Sequence, residues 1–157
     1  MNYADLFDAE LICINQEFSS RNELFEELSN TLYCKGYIEE TFKYAIKQRE
    51  LEFPTGLATE TMNIAIPHTD VVHVKKPFIY VAKLKKSLPF IQMGTDDEVI
   101  DVDNIFILGI KEPSVQVHLL SRIMEMLQDE FFKGNYKTIA EAKEMELYLK
   151  NTFGRDE

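Results

Sequence analysis

Ile105-Phe106-Ile107-Leu108-Gly109-Ile110 is an unbroken apolar run rich in β-branched and aromatic side chains. A run with no polar face predicts a strand covered on both sides, at the middle of a sheet with helices above and below. Upstream of it, Ile64–Ile66, Phe78–Leu84 and Phe90–Met93 also read as strands. Downstream, a helix is expected from about Ser114 to Asp129, with Leu119, Ile123, Met126 and Leu127 inward. Nearer the start, Ser20 and Glu23 form a capping-box pattern ahead of Leu24, Phe25, Leu28 and Leu32, and Gly36 is a natural stop. A second helix is expected from about Ile38 to Leu51, with a stripe at Ile38, Phe42, Ala45 and Ile46, broken by Pro54-Thr55-Gly56. Thr138 and Glu141 make another capping box, opening a helix to about Asn151. Interleaved strands and helices predict an α/β (α+β) fold, a mixed sheet flanked by helices on both faces, as one domain over residues 1–157.

Composition narrows the function. Hydrophobic residues at 45% and aromatics at 11% suit a folded globule and argue against disorder. A net charge of −10 argues against non-specific nucleic-acid binding, which needs clustered Lys and Arg, and against an anionic membrane surface. No apolar run approaches the roughly 20 residues of a membrane span, and no signal-peptide pattern opens the chain. Cys13 and Cys34 have neither disulfide-framework nor metal spacing, so they read as reduced thiols in a cytoplasmic protein. The lack of a linker predicts a free-standing chain.

Three residues carry chemistry. In Asn63-Ile64-Ala65-Ile66-Pro67-His68-Thr69-Asp70, a short apolar run ends at a proline and a histidine follows. Pro67 fixes its own φ and biases Ile66 toward extended geometry, so His68 is expected at a strand end on a stiff turn. With an ordinary pKa of about 6.5, a neutral imidazole there could attack phosphorus, a metal or a proton; the plainer reading is a turn histidine with no role. His118 lies about one turn into the helix expected from Ser114, where unpaired N–H groups and the helix dipole favour anions. It could donate to a phosphoryl oxygen, or simply pack at the core edge with Leu119. Arg49 extends the stripe of Ile38, Phe42 and Ala45/Ile46, so its guanidinium points with the buried face and wants a carboxylate or phosphate. The alternative is an arginine that snorkels to water. Together the three could converge on one transferable anion, with His68 as nucleophile and Arg49 and His118 neutralising charge. A rival metal site of His68, Asp70 and His73 asks one short loop to aim three ligands at one ion, and His73 is expected to face solvent instead.

Arg49-Glu50, Thr55-Gly56-Leu57, Ile64-Ala65-Ile66-Pro67-His68 and the Ile105–Ile110 run with His118-Leu119-Leu120 ahead resemble the enzyme IIA domains of the bacterial sugar phosphotransferase system. The likeness is to the fructose/mannitol superfamily, from about Asn2 to Phe153. Pro54-Thr55-Gly56-Leu57, followed by Asn63 to Asp70, looks most like the galactitol-type branch. Thr69 stands where many members have glycine, and the stretch from Gly56 to His68 is longer than in the nitrogen-regulatory branch. The resemblance implies a phosphocarrier that takes phosphate from phospho-HPr on His68 and passes it to a cysteine of an enzyme IIB, with His118 and Arg49 supporting. It implies no cofactor and no metal, and no oligomeric state is read from it. The alternatives are a regulatory relative that uses phosphorylation of His68 as a signal, and a binding module without chemistry. A carrier that meets two partners through one surface is also expected to show part of Met62, Ile64, Val71 and Val72 as an apolar rim.

Overall fold

The computed structural model describes residues 2–154. Its five strands are β1 (Ile12–Gln16), β2 (Gly56–Ala58), β3 (Asn63–Ala65), β4 (Phe78–Ile91) and β5 (Val99–Gly109). They make one sheet in the order β1-β4-β5-β3-β2. β1 runs parallel to β4 and β3 parallel to β5, while the β4–β5 and β2–β3 pairs are antiparallel, so the sheet is mixed. β5 is central, as its apolar run predicts.

Helices cover both faces. The period of two along a strand sorts its side chains into two cores. Ile79, Val81, Phe106 and Leu108 point to one face. There they pack against α3 (Pro113–Met126), α4 (Glu130–Thr138) and α5 (Ala142–Phe153), through Leu119, Ile123, Phe132, Tyr136, Met145 and Leu149. Phe78, Tyr80, Ala82, Ile105 and Ile107 point to the other face, against α1 (Arg21–Cys34) and α2 (Phe42–Glu52). Leu24, Phe25, Leu28 and Leu32 of α1 are buried there, on the stripe the sequence displays.

Four expectations need correction. The segments 78–84 and 90–93 are a single strand, β4, whose pairing with β5 shifts register between Lys83 and Leu88. Ile38 is not helical. Gly36, at φ +83°, ends α1 in the left-handed region open to glycine, and Ile38 then forms a lone bridge with Val74. The Ser20 hydroxyl caps α1 by accepting from the Glu23 N–H, but the Glu23 carboxylate turns to the Ser19 N–H, so the box is not reciprocal. Thr138 closes α4 instead of opening α5, and donates its hydroxyl to the Asn135 carbonyl. α4 itself is capped by Asp129, which accepts from the N–H groups of Phe131 and Phe132. Gly134 and Asn135 weaken its helical signature in the sequence.

Both margins of the sheet are irregular. β1 shifts register between Ile14 and Gln16, and Asn15 between them takes φ 70°. β2 has three residues, and on its outer side the Gly56 carbonyl accepts from the Met93 N–H at 2.7 Å while the Ala58 N–H donates to Gln92 Oε1.

Gly109 pairs with Phe78 across β4 and β5. A Cβ there would lie 2.0 Å from the Phe78 ring, which is fully buried. Gly109→Ala is expected to cost roughly 1–3 kcal/mol by overpacking. Urea titration should show a lower midpoint with an unchanged slope; an unchanged midpoint would mean the ring has room to move.

Candidate active site

His68 leaves the sheet just after β3. The Pro67 carbonyl accepts from the Leu108 N–H at 3.0 Å, carrying the β3–β5 ladder past Ala65 before the chain turns away. Ile66 and Pro67 are buried and His68 is half-buried. The ring is therefore held on the rigid end of a strand, as Pro67 predicts. Its Nδ1 lies 2.8 Å from the Ile66 carbonyl oxygen. A carbonyl only accepts, so Nδ1 carries the proton and the Nε2 lone pair has no hydrogen-bond partner among the described residues. Burial pushes the pKa of His68 below its ordinary value, and the positive charge of Arg49 acts in the same direction; the Ile66 carbonyl and Asp70 oppose them. Near neutral pH the ring is then uncharged and nucleophilic at Nε2.

Arg49 stands on the last turn of α2. Its Nη1 donates to Asp70 Oδ1 at 3.3 Å, and its guanidinium lies over the Phe53 ring, 4.6 Å from the centroid. Its Nε is buried and has no hydrogen-bond partner. The arginine thus has the carboxylate that its placement calls for and still has a donor to offer. Its position on the helix differs from expectation. With Ile38 outside the helix, the buried stripe of α2 is Phe42, Ile46 and Glu50, and Arg49 flanks it, half-buried.

His118 is exposed on α3 and lines a shallow recess with Tyr3, Ser114 and Val115. No hydrogen bond or ion pair among the described residues joins it to His68 or Arg49. The charges of Arg49 and Asp70 both act on His68, so these three share one region. His73 does not face open solvent: it is half-buried, and its Nδ1 is 2.7 Å from the Thr41 hydroxyl at the start of α2. His73 and Asp70 are therefore engaged with different partners. Part of the expected apolar rim is on the surface. Val72 is 72% exposed and Val71 half-buried, but Met62 and Ile64 belong to the core.

Three residues in this region have roles that the sequence reading did not give them, Asp70 having been considered only as a metal ligand. Asp70 is the partner of Arg49. Phe53 supports the guanidinium face. Glu50 is buried at 2% exposure and accepts from both the N–H and the hydroxyl of Thr55, each at 2.8 Å. Burial raises its pKa to about 7, against the opposing effect of the Thr55 bonds. The spacing Phe42, Ile46, Glu50 is the signal that could have found it, since steps of four place a residue on the same helix face.

A desolvated neutral imidazole beside a guanidinium suits attack on an anionic electrophile: the nitrogen supplies the lone pair and the cation offsets charge. The comparisons with known proteins define the class. Residues 5–152 match the model of the family described as phosphoenolpyruvate-dependent sugar phosphotransferase system, EIIA 2, and the chain belongs to that family. Its members are phosphotransferases that carry phosphate on a histidine. Within it, the chain is 31% identical over 140 residues to the galactitol-specific EIIA component of Escherichia coli K12, covering 89% of this chain and 93% of that protein. Two solved structures share the fold. A putative phosphotransferase-system IIA protein from Streptococcus mutans superposes with a TM-score of 0.75 at 14% identity, covering 99% of this chain and 97% of that one. The mannitol enzyme IIA of Escherichia coli, in complex with phosphorylated mannitol enzyme IIB, gives 0.61 at 21% identity, covering 79% and 83%.

Proposed function

We propose that His68 is the phosphate-carrying residue, that it receives the phosphoryl group from phospho-HPr, and that it passes the group to a cysteine of an enzyme IIB. The bond from His68 Nδ1–H to the Ile66 carbonyl carries this reading, because it leaves Nε2 as the nucleophile. In the first step Nε2 bonds to phosphorus as the phosphorus–nitrogen bond to HPr breaks, and the electron pair returns to the HPr histidine. In the second step a cysteine thiolate bonds to phosphorus and the His68 nitrogen leaves with its electron pair. The proton stays on Nδ1, donated to the Ile66 carbonyl throughout, so His68 needs no proton exchange to turn over.

Arg49 stabilises the phosphoryl oxygens by exchanging Asp70 for them and by using its unpaired Nε–H. His118 is assigned a supporting role on the strength of the family resemblance and its place on α3, the helix that follows the strand beside Pro67. Val72 and Val71 form part of a small docking rim shared by donor and acceptor, as suits transient partners. The likeness to a galactitol-specific component points to galactitol or a related polyol as the transported compound, and to work in the cytoplasm. No helix among the described residues is long and apolar enough to cross a membrane.

The test is intact-mass measurement after incubation with phosphoenolpyruvate, enzyme I and HPr. The chain should gain one phosphate, and His73→Ala and His118→Ala should each still gain one at completion. A wild-type chain that gains none is no phosphocarrier from HPr. Loss of the site in His118→Ala with His68 intact would move the phosphate to His118.

A further inference from the structure

Glu50 is the residue after Arg49, yet it faces the other way, into the protein. It is the start of an unbroken line of hydrogen bonds that ends on the His68 ring. Its carboxylate accepts from the N–H and the hydroxyl of Thr55. The Thr55 carbonyl accepts from the Ile66 N–H at 3.3 Å. The carbonyl of the same Ile66 accepts from His68 Nδ1. Thr55, Ile66 and Glu50 are all buried, so none of these groups can turn to water as an alternative partner. The next residue, Gly56, is closely packed: a Cβ there would lie 2.6 Å from the Ile91 carbonyl oxygen, so the chain beside Thr55 runs tight against the 91–93 segment.

From this geometry we infer that Glu50 is a positioning residue for His68: by holding Thr55 it fixes the Ile66 peptide, and so keeps the ring in its Nδ1–H tautomer with Nε2 presented. The inference rests on the reading of His68 as the phosphate carrier only for its consequence in transfer; the tautomer it concerns is a property of the chain alone. The arrangement makes the end of α2 serve His68 twice. Arg49 meets the space outside the ring, and Glu50 secures the strand that carries it. A hydrogen-bonded peptide carbonyl set in a dry surrounding selects one ring nitrogen for the proton; if that carbonyl drifts, either nitrogen can carry it.

The test follows the ring ¹⁵N shifts of His68 by NMR in the unphosphorylated protein at a pH where the ring is neutral. Wild type should show one dominant Nδ1–H form. Glu50→Leu removes both acceptors and should yield a mixture of tautomers, with phosphate uptake from HPr slowed at least about fivefold. Glu50→Gln keeps a carbonyl for the Thr55 N–H and should restore most of both. Thr55→Val deletes only the hydroxyl link, and gives the same comparison if Glu50→Leu does not fold; it should shift the tautomer balance in part. A folded Glu50→Leu or Thr55→Val protein with the wild-type tautomer balance overturns the inference. A wild-type protein that shows the Nδ1–H form but never takes phosphate overturns the functional reading and leaves the positioning role standing.

Discussion

His68→Ala should take up no phosphate from phospho-HPr, whereas the wild-type chain should take up one. The loss is expected to be complete because a methyl group has no electron pair to form a bond to phosphorus, and the side chains nearby in sequence have other partners. Asp70 is held by Arg49, and His73 by Thr41. The pH dependence carries a second sign. Burial and Arg49 lower the pKa of His68, so the neutral form persists to more acidic pH than in a free imidazole. In wild type the acid limb of transfer should therefore lie below the ordinary value of about 6.5. The same lowering makes the unfolded chain bind more protons than the folded one near that value. This contribution to stability falls as pH drops through the unfolded value toward the folded one. Stopped-flow transfer at fixed HPr, read against pH, checks the limb. Phosphate on the His68→Ala chain would place the carrier elsewhere.

Arg49→Ala should slow transfer by tens- to hundreds-fold while leaving the phosphate on His68. A charge-assisted hydrogen bond to an anion contributes about 1.5–3 kcal/mol, and Arg49 offers both Nη1 and an unpaired Nε. Its effect is larger than the resting contact with Asp70 suggests. That pair is partly exposed, and exposed ion pairs contribute only about 0–1 kcal/mol. Stability should therefore change little where rate changes much. Arg49→Lys should recover only part of the rate, since an ammonium cannot keep the planar stacking over Phe53 or the Nε–H. Equal transfer rates for wild type and Arg49→Ala, measured by rapid-quench labelling, would remove the arginine from the site.

The centre of the sheet was legible because its information is local, whereas the marginal strands β1 and β2 are too short or mixed in polarity to be read. Alternate residues of β4 and β5 face different cores, and the unbroken Ile105–Ile110 run has no other stable home. His68 was legible for the same reason, as Pro67 fixes the chain beside it. Contacts made only by the folded chain were not legible. Ile38 fits a helical stripe with Phe42 and Ala45, but it pairs with Val74, which lies far along the chain. That one displaced residue hid the true face of α2, so Glu50 went unread while Arg49 was assigned its place. α4 was missed because Gly134 and Asn135 are poor helix formers, and burial of Phe132 and Tyr136 outweighs them. Thr138 looked like a start because a hydroxyl three residues before a glutamate reads the same whether it follows a helix or precedes one.

The margins of the sheet have a consequence for how this protein behaves in a crowded solution. A strand with a bare row of N–H and C=O groups templates pairing with other chains. Here one margin is bent by the irregularity at Asn15. The other is three residues long and already has its outward Gly56 and Ala58 groups bonded to the 92–93 segment. Neither offers a long flat ladder for a second copy to extend. A second copy thus finds little backbone template for strand-by-strand aggregation on either margin.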